Sequence, residues 1–178
     1  MVVTNEDTFD CVVRLIKEGL KPVALDFASG TNPGGSWRSK QQGTQEESLC
    51  RRSDLGLLLE KKKYPIPTDS YHYLPKVTIT NTNISCAIIA SELRSIASRT
   101  EEYLIKRVTD LYECAVKNKH NAIVLGAWGC GAFKETEDDA AIMAKIFKIV
   151  AKKYMDKIKT VYAILHKPNY EIFKKIIF

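Results

Sequence analysis

"VALDFASGTNPGGSWRSKQQGTQEESLCRR", Val23 to Arg52, reads as a strand, a glycine-rich loop and the start of a helix in succession. Val23 to Ala28 is a short apolar run closed off by Pro22 and Gly30, the pattern of a strand buried on both faces. Gly34 and Gly35 follow, and there the backbone can approach a ligand closely. From about Gln45 the pattern turns helical, with Glu46 and Glu47 in the first turn. A buried strand passing through a loop into a helix is the repeating unit of a parallel sheet with helices packed on it.

The flanking sequence repeats that unit. Val2–Val3 is a short strand, and "NEDT" after it can cap a helix with Phe9, Val12, Val13, Ile16 and Leu20 on one face, ended by Gly19 and Pro22. A further helical piece starts near Ser53, with Leu55, Leu58 and Leu59 buried. Tyr64 to Pro75 reads as an ordered loop, and Val77–Asn81 and Cys86–Ala90 as strands. Ser98 to Glu101 has the form of a capping box opening a helix that carries Leu104, Val108, Leu111 and Ala115. Ala122–Ala127 is another buried strand, then come a loop with Gly129 and Gly131 and a helix from about Glu137 to Tyr154. A strand at Val161–Leu165 and a helix at Tyr170–Ile177 complete the chain. This predicts an α/β fold in one domain, residues 1–178, with a largely parallel sheet covered on both faces. Ligands of such sheets bind beyond the carboxyl ends of the strands. The loops after Ala28 and after Leu125 then share one rim.

The net charge of +6 favours polyanionic partners, but no nucleic-acid-binding motif accompanies it. Five cysteines, an odd number without a CxxC pair, read as buried thiols, and the three histidines are scattered, so no metal or other cofactor is expected. No apolar run approaches the roughly 20 residues of a membrane span, and "MVVTNEDTFD" has no basic leader region. The expectation is an intracellular monomer, cytoplasmic or nuclear, with no membrane association.

Two stretches carry chemistry. In "LGAWGCGAF", Leu125 to Phe133, the glycines are spaced GxxGxG, which is neither the dinucleotide fingerprint nor a Walker loop. The stretch suits an anion held by backbone N–H groups or simply a tight turn. Trp128 and Phe133 either line a pocket or plug the core. Glu46 and Glu47 point about 100° apart on a helix, so they cannot flank one bond as a glycosidase pair does. At most one faces a reacting atom. Alternatively both complement the helix dipole, and Glu47 pairs with Arg51.

The segment Val23 to Leu55 resembles the signature of the bacterial-type poly(ADP-ribose) glycohydrolases, a branch of the macrodomain superfamily. That family's GGG and QEE elements appear as Gly34-Gly35-Ser36 and Gln45-Glu46-Glu47, its diphosphate loop as "VLGAWGCGAF", and its N-terminal segment as "VTNEDT". The resemblance implies a macrodomain-like three-layer sandwich, with a mixed, mostly parallel sheet between helices. It implies Glu47 as the catalytic acid and Glu46 as the grip on the ribose hydroxyls, with Asn32 and Gln45 positioning the terminal ribose. Gly34 and Gly35 would lie over the diphosphate and scissile ribose, with Ser36 a further substrate-binding position. Gly129, Cys130, Gly131 and Ala132 would offer amides to the diphosphate, and Phe133 would pack on the terminal ribose. Glu6 or Asp7 would meet the adenine amino group, with Phe173 as an adenine-stacking candidate. Ser36 and "FKETE" (Phe133 to Glu137) depart from the family pattern.

The activity so implied is cleavage of ribose–ribose O-glycosidic bonds in poly(ADP-ribose), releasing ADP-ribose. Glu46 would help hold a proton on Glu47 through like-charge repulsion. The rivals are a mono-ADP-ribosyl-protein hydrolase, a reader that binds ADP-ribose uncleaved, and a nucleic-acid-binding protein using the basic surface.

Overall fold

The structure is a computed structural model that describes residues 1–178. Six strands, β1 (Val2–Thr4), β2 (Pro22–Phe27), β3 (His72–Thr78), β4 (Ser85–Ser91), β5 (Ala122–Leu125) and β6 (Lys159–Ala163), form one sheet in the order β1-β6-β5-β2-β4-β3. All neighbouring pairs are parallel except β3–β4, an antiparallel edge hairpin. The expected three-layer α/β arrangement with a mixed, mostly parallel sheet is therefore present.

The alternation of side chains along β2 builds both outer layers at once. Val23 and Leu25 enter one core beneath α4 (Glu101–Lys117), α5 (Asp139–Tyr154) and α6 (Lys167–Ile177). Ala24 and Ala28 enter the other, against α1 (Thr8–Lys17), α2 (Gln45–Arg51) and α3 (Leu55–Leu59). Asp26 shares the face of Ala24 and Ala28, and so points at α2. Of the face expected on α1, Phe9 and Val12 are wholly buried and Val13, Ile16 and Leu20 half-buried; Leu15, not anticipated, is wholly buried beside them. All five cysteines are free and buried. No helix is long and apolar enough to cross a membrane.

Several boundaries differ from the sequence reading. His72 to Pro75, read as loop, are strand, because β3 zips onto the apolar centre of β4, Cys86–Ala90: His72 pairs Ala90 and Tyr73 pairs Ile89. The helix expected to be capped at Ser98 is capped by Thr100, whose side chain accepts the Tyr103 N–H at 3.1 Å; Ser98 lies in a preceding 3-10 turn. Helix α6 begins three residues early, at Lys167, since Pro168 suits the first turn, where its missing N–H leaves nothing unpaired.

Candidate active site

Beyond the carboxyl ends of β1, β2, β5 and β6 lies a cleft of about 610 Å³. It is lined by Glu6, Asp7, Asn32, Gly35, Ser36, Gln45, Glu46, Glu47, Gly129, Gly131, Ala132 and Phe133, all anticipated from the sequence. Parallel topology puts both glycine-rich loops there, and Asn5 ties the rim by donating to the Ile164 carbonyl at 2.8 Å.

The two glutamates stand in opposite environments. Glu47 is the third residue of α2 and forms part of its cap. Its Oε2 accepts from the Thr44 N–H (2.9 Å) and hydroxyl (3.0 Å). Its Oε1 accepts from the Ser36 N–H (3.2 Å) and hydroxyl (3.4 Å). Burial raises its pKa, but the Thr44 and Ser36 N–H groups outweigh that and hold it below the ordinary carboxylate range. Glu46, turned inward, is 2% exposed. Its Oε1 accepts the Ser29 N–H at 2.8 Å, while Oε2 and both oxygens of fully buried Asp26 lack an ordinary donor. The two carboxyls meet across the β2–α2 interface. Burial, then the charge of Asp26, drives Glu46 up to about 11, and burial drives Asp26 up to about 7. A proton shared by this pair supplies the missing donor. The structure thus corrects the expectation that Glu46 holds a proton on Glu47: the proton resides on the buried pair, and Glu47 is the ionised member. Glu46 has almost no surface with which to grip ribose hydroxyls.

Gln45 also differs from expectation. Its amide donates to the Leu25 carbonyl (2.7 Å) and the Thr8 hydroxyl (3.1 Å), and its Oε1 accepts the Phe27 N–H (2.9 Å). β2 pairs with β5 only as far as Ala24, and Gln45 satisfies the backbone beyond. Its polar atoms are engaged by the strand rather than aimed at a sugar. Arg51, one turn after Glu47, does not pair with it; its guanidinium donates to the carbonyls of Trp37, Ser36, Ser39 and Gln41 at 2.9–3.3 Å and pins the loop.

Gly35, at φ +60°, lets the loop pass directly over Glu47. Gly34, expected over the ligand, lies beneath it, packed on Trp37 and Cys50. In the second loop, Gly129, Gly131 and Ala132 keep N–H groups without an intramolecular partner, whereas the Cys130 N–H bonds the Ala127 carbonyl at 3.1 Å. Cys130 is 4% exposed, and burial lifts its thiol to about 12. It therefore closes the turn and offers no amide. Trp128 plugs the core, its indole donating to the Ser91 carbonyl at 3.0 Å, while Phe133 faces the cleft. Phe173 is fully buried against Phe147 and Tyr162, so it offers no face for adenine.

At the far end, Glu6 is held by Arg14 (2.5 Å), and Asp7 by the Asp10 N–H (2.9 Å) and Arg52 (3.0 Å). Arg52, Arg94, His166 and Asn169 also line the cleft and were missed by sequence reading. The Arg94 guanidinium lies 3.8 Å over the Phe133 ring and pairs with Glu92 at 2.9 Å. No motif announces these residues, because the topology brings them in from separate elements. Asp26 had a signal, as the one charge in "VALDFA".

A three-layer α/β sandwich with a rim cleft between two glycine-rich loops defines a macrodomain-like protein. Residues 1–82 match the family model of the microbial-type PARG catalytic domain. The solved poly(ADP-ribose) glycohydrolase of Deinococcus radiodurans, in complex with ADP-ribose, aligns at 25% identity with a TM-score of 0.80, covering 99% of this chain and 83% of that one. The enzyme of Thermomonospora curvata aligns at 26% identity and TM-score 0.81, covering 98% and 75%. Its complex with the inhibitor ADP-HPD gives 25% and 0.80, covering 98% and 77%. No curated protein sequence matches. The chain is similar to the bacterial poly(ADP-ribose) glycohydrolases, in sequence over its first 82 residues and in fold over nearly its whole length.

Proposed function

We propose that this chain is a single-domain poly(ADP-ribose) glycohydrolase that cleaves ribose–ribose O-glycosidic bonds and releases ADP-ribose. The observation that carries this reading is the Glu47 carboxylate, fixed at four points beneath Gly35 and facing a cleft whose opposite wall offers the free N–H groups of Gly129, Gly131 and Ala132. The diphosphate lies on those amides, the terminal ribose packs between Phe133 and Gly35 beside Asn32, and the adenosine end extends toward Glu6, Asp7 and Arg52.

Glu47 starts as a carboxylate, and the bound diphosphate places negative charge beside it and favours proton uptake. Glu47 then gives its proton to the leaving 2′-oxygen as the C1″–O bond breaks. Positive charge develops on the ribose and is balanced by the diphosphate. The Glu47 carboxylate next takes a proton from water, whose hydroxide forms the new C1″–O bond. A pure reader of ADP-ribose has no use for a carboxylate held this firmly at the scissile position. Glu47→Gln should abolish ADP-ribose release from the polymer while ADP-ribose affinity stays within about threefold; retained turnover removes Glu47 from the mechanism. A parallel incubation with singly modified protein separates the polymer hydrolase from a mono-ADP-ribosyl hydrolase.

A further inference from the structure

The segment that leaves β4 ties the two glycine-rich loops together. After Ser91 the chain quits the sheet, and each of the next four residues touches one loop or the other. The Glu92 carboxylate accepts the Gly30 N–H at 2.7 Å. Gly30 has no left-handed φ that would call for glycine, but a Cβ there would meet Glu92 Oε1 at 2.8 Å, so it is the carboxylate that requires the glycine. Glu92 Oε2, which takes the Gly30 N–H, also lies 2.9 Å from Arg94 Nε. The Arg94 guanidinium in turn lies 3.8 Å over the Phe133 ring. Ser95, held at φ +57°, donates to Glu135 at 2.8 Å, and the Leu93 carbonyl packs on Gly129.

The root of this bridge is fixed in the core. Arg107 is buried, and its Nη2 donates to the Ser91 hydroxyl at 2.9 Å and the Glu92 carbonyl at 2.8 Å. Its guanidinium also stands 5.3 Å from the ring of Trp128 in the second loop. The outer end of the bridge is the stack of Arg94 on Phe133. Phe133 is half-buried between exposed neighbours, Ala132 and Lys134, so little else on its own loop holds the ring. A planar guanidinium suits that task, because it stacks on an aromatic face while its Nε faces a carboxylate.

We propose that Arg94 is a positioning residue of the hydrolase: anchored through Glu92 to the first loop, it fixes the Phe133 ring relative to the loop that covers Glu47. The proposal rests on the hydrolase reading above. A ring has two faces; with the guanidinium on one, the other is left for the terminal ribose. Arg94 therefore acts through Phe133 and touches no reacting atom. The ribose that Phe133 seats carries the C1″–O bond Glu47 must reach, while the amides of Gly129, Gly131 and Ala132 hold the diphosphate. Loss of Arg94 should accordingly fall on turnover more than on binding.

A double-mutant cycle tests this. Arg94→Ala should lower kcat on poly(ADP-ribose) about tenfold, with KM within about threefold of wild type. In a Phe133→Ala background the same substitution should change kcat by less than about twofold, because the residue it acts through is gone. Arg94→Lys keeps the charge and so guards against a folding defect, but it lacks the flat face and should lose kcat nearly as Arg94→Ala does. Full activity in either variant, a raised KM at unchanged kcat, or an equal loss in both backgrounds overturns the positioning role and leaves the hydrolase reading intact. A wild-type protein that binds ADP-ribose yet releases none from the polymer overturns the hydrolase reading, and the positioning role with it.

Discussion

Replacing Gly35 by alanine tests whether the loop sets the position of Glu47. A Cβ at Gly35 would meet Glu47 Oε1 well inside 3.0 Å and Glu46 Oε1 at 3.2 Å. Glu46 is packed against Asp26 and cannot retreat, so Glu47 must. A shift of Oε1 breaks the Ser36 N–H bond, a charge-assisted contact of about 1.5–3 kcal/mol before discounting for solvent. The φ of +60° adds about 1 kcal/mol of backbone strain. Gly19 is the control: its φ is +84°, and nothing lies within 4 Å of an added Cβ. Gly19→Ala therefore carries the strain alone. Expected melting shifts are about 2–4 °C for Gly19→Ala and about 4–10 °C for Gly35→Ala. Kinetics should separate the two variants more sharply. A displacement of about 1 Å in a catalytic group costs on the order of a hundredfold, so kcat on poly(ADP-ribose) should fall that far in Gly35→Ala and hold in Gly19→Ala. Matching melting shifts with kcat within threefold of wild type in both would show that Glu47 relocates freely and that the loop does not position it.

Two further outcomes follow from the carboxylates. Because Glu47 is held below the ordinary carboxylate range in the free protein, log kcat/KM for the polymer should fall by about one per pH unit between pH 6 and 8; a flat profile excludes a proton-donating Glu47. Asp26 is raised from 3.8 to about 7, so its contribution to stability is complete below pH 4 and is lost as pH rises through 7. Asp26→Asn should melt with the wild type near pH 4 and above it at pH 8, by at most about 4 kcal/mol, and an equal difference at both pH values contradicts a protonated Asp26.

Most of the architecture was legible, because strand and helix periods differ and the chain obeys both. Val23–Ala28 and Ala122–Leu125 announce themselves as apolar runs, and Phe9, Val12 and Ile16 as a helical stripe. What the sequence hid depends on partners distant along the chain. His72–Pro75 is strand only because β4 is there to pair with it. Gln45 reads as a ligand-facing amide until β2 parts from β5 and leaves the Leu25 carbonyl and Phe27 N–H to be satisfied. Cys130 reads as an anion-loop residue until its N–H closes a turn. Arg94 and Arg52 have no local signal, since their place in the cleft comes from the order of the strands.

Adjacent glutamates at the start of a helix must face different surroundings, because each residue turns about 100° from the last. On α2 that turn separates the core from the cleft. Glu46 is carried inward to the one charged residue of β2, and two carboxyls in a dry interface retain a proton because both cannot ionise side by side without solvent. Glu47 is carried outward into hydrogen bonds from Thr44 and Ser36 that favour the ionised form. The buried pair is anchored between strand and helix, and it blocks the direction in which Glu47 would otherwise relax. The loop blocks the opposite one: Ser36 supplies both donors to Oε1, and the four carbonyl contacts of Arg51 keep Ser36 from lifting. Glu47 is thereby clamped between a buried carboxyl pair that retains a proton and a loop that cannot open without breaking Arg51's contacts. A residue so placed holds the geometry proton transfer needs before any substrate arrives, which is where positional catalysis has its largest effect.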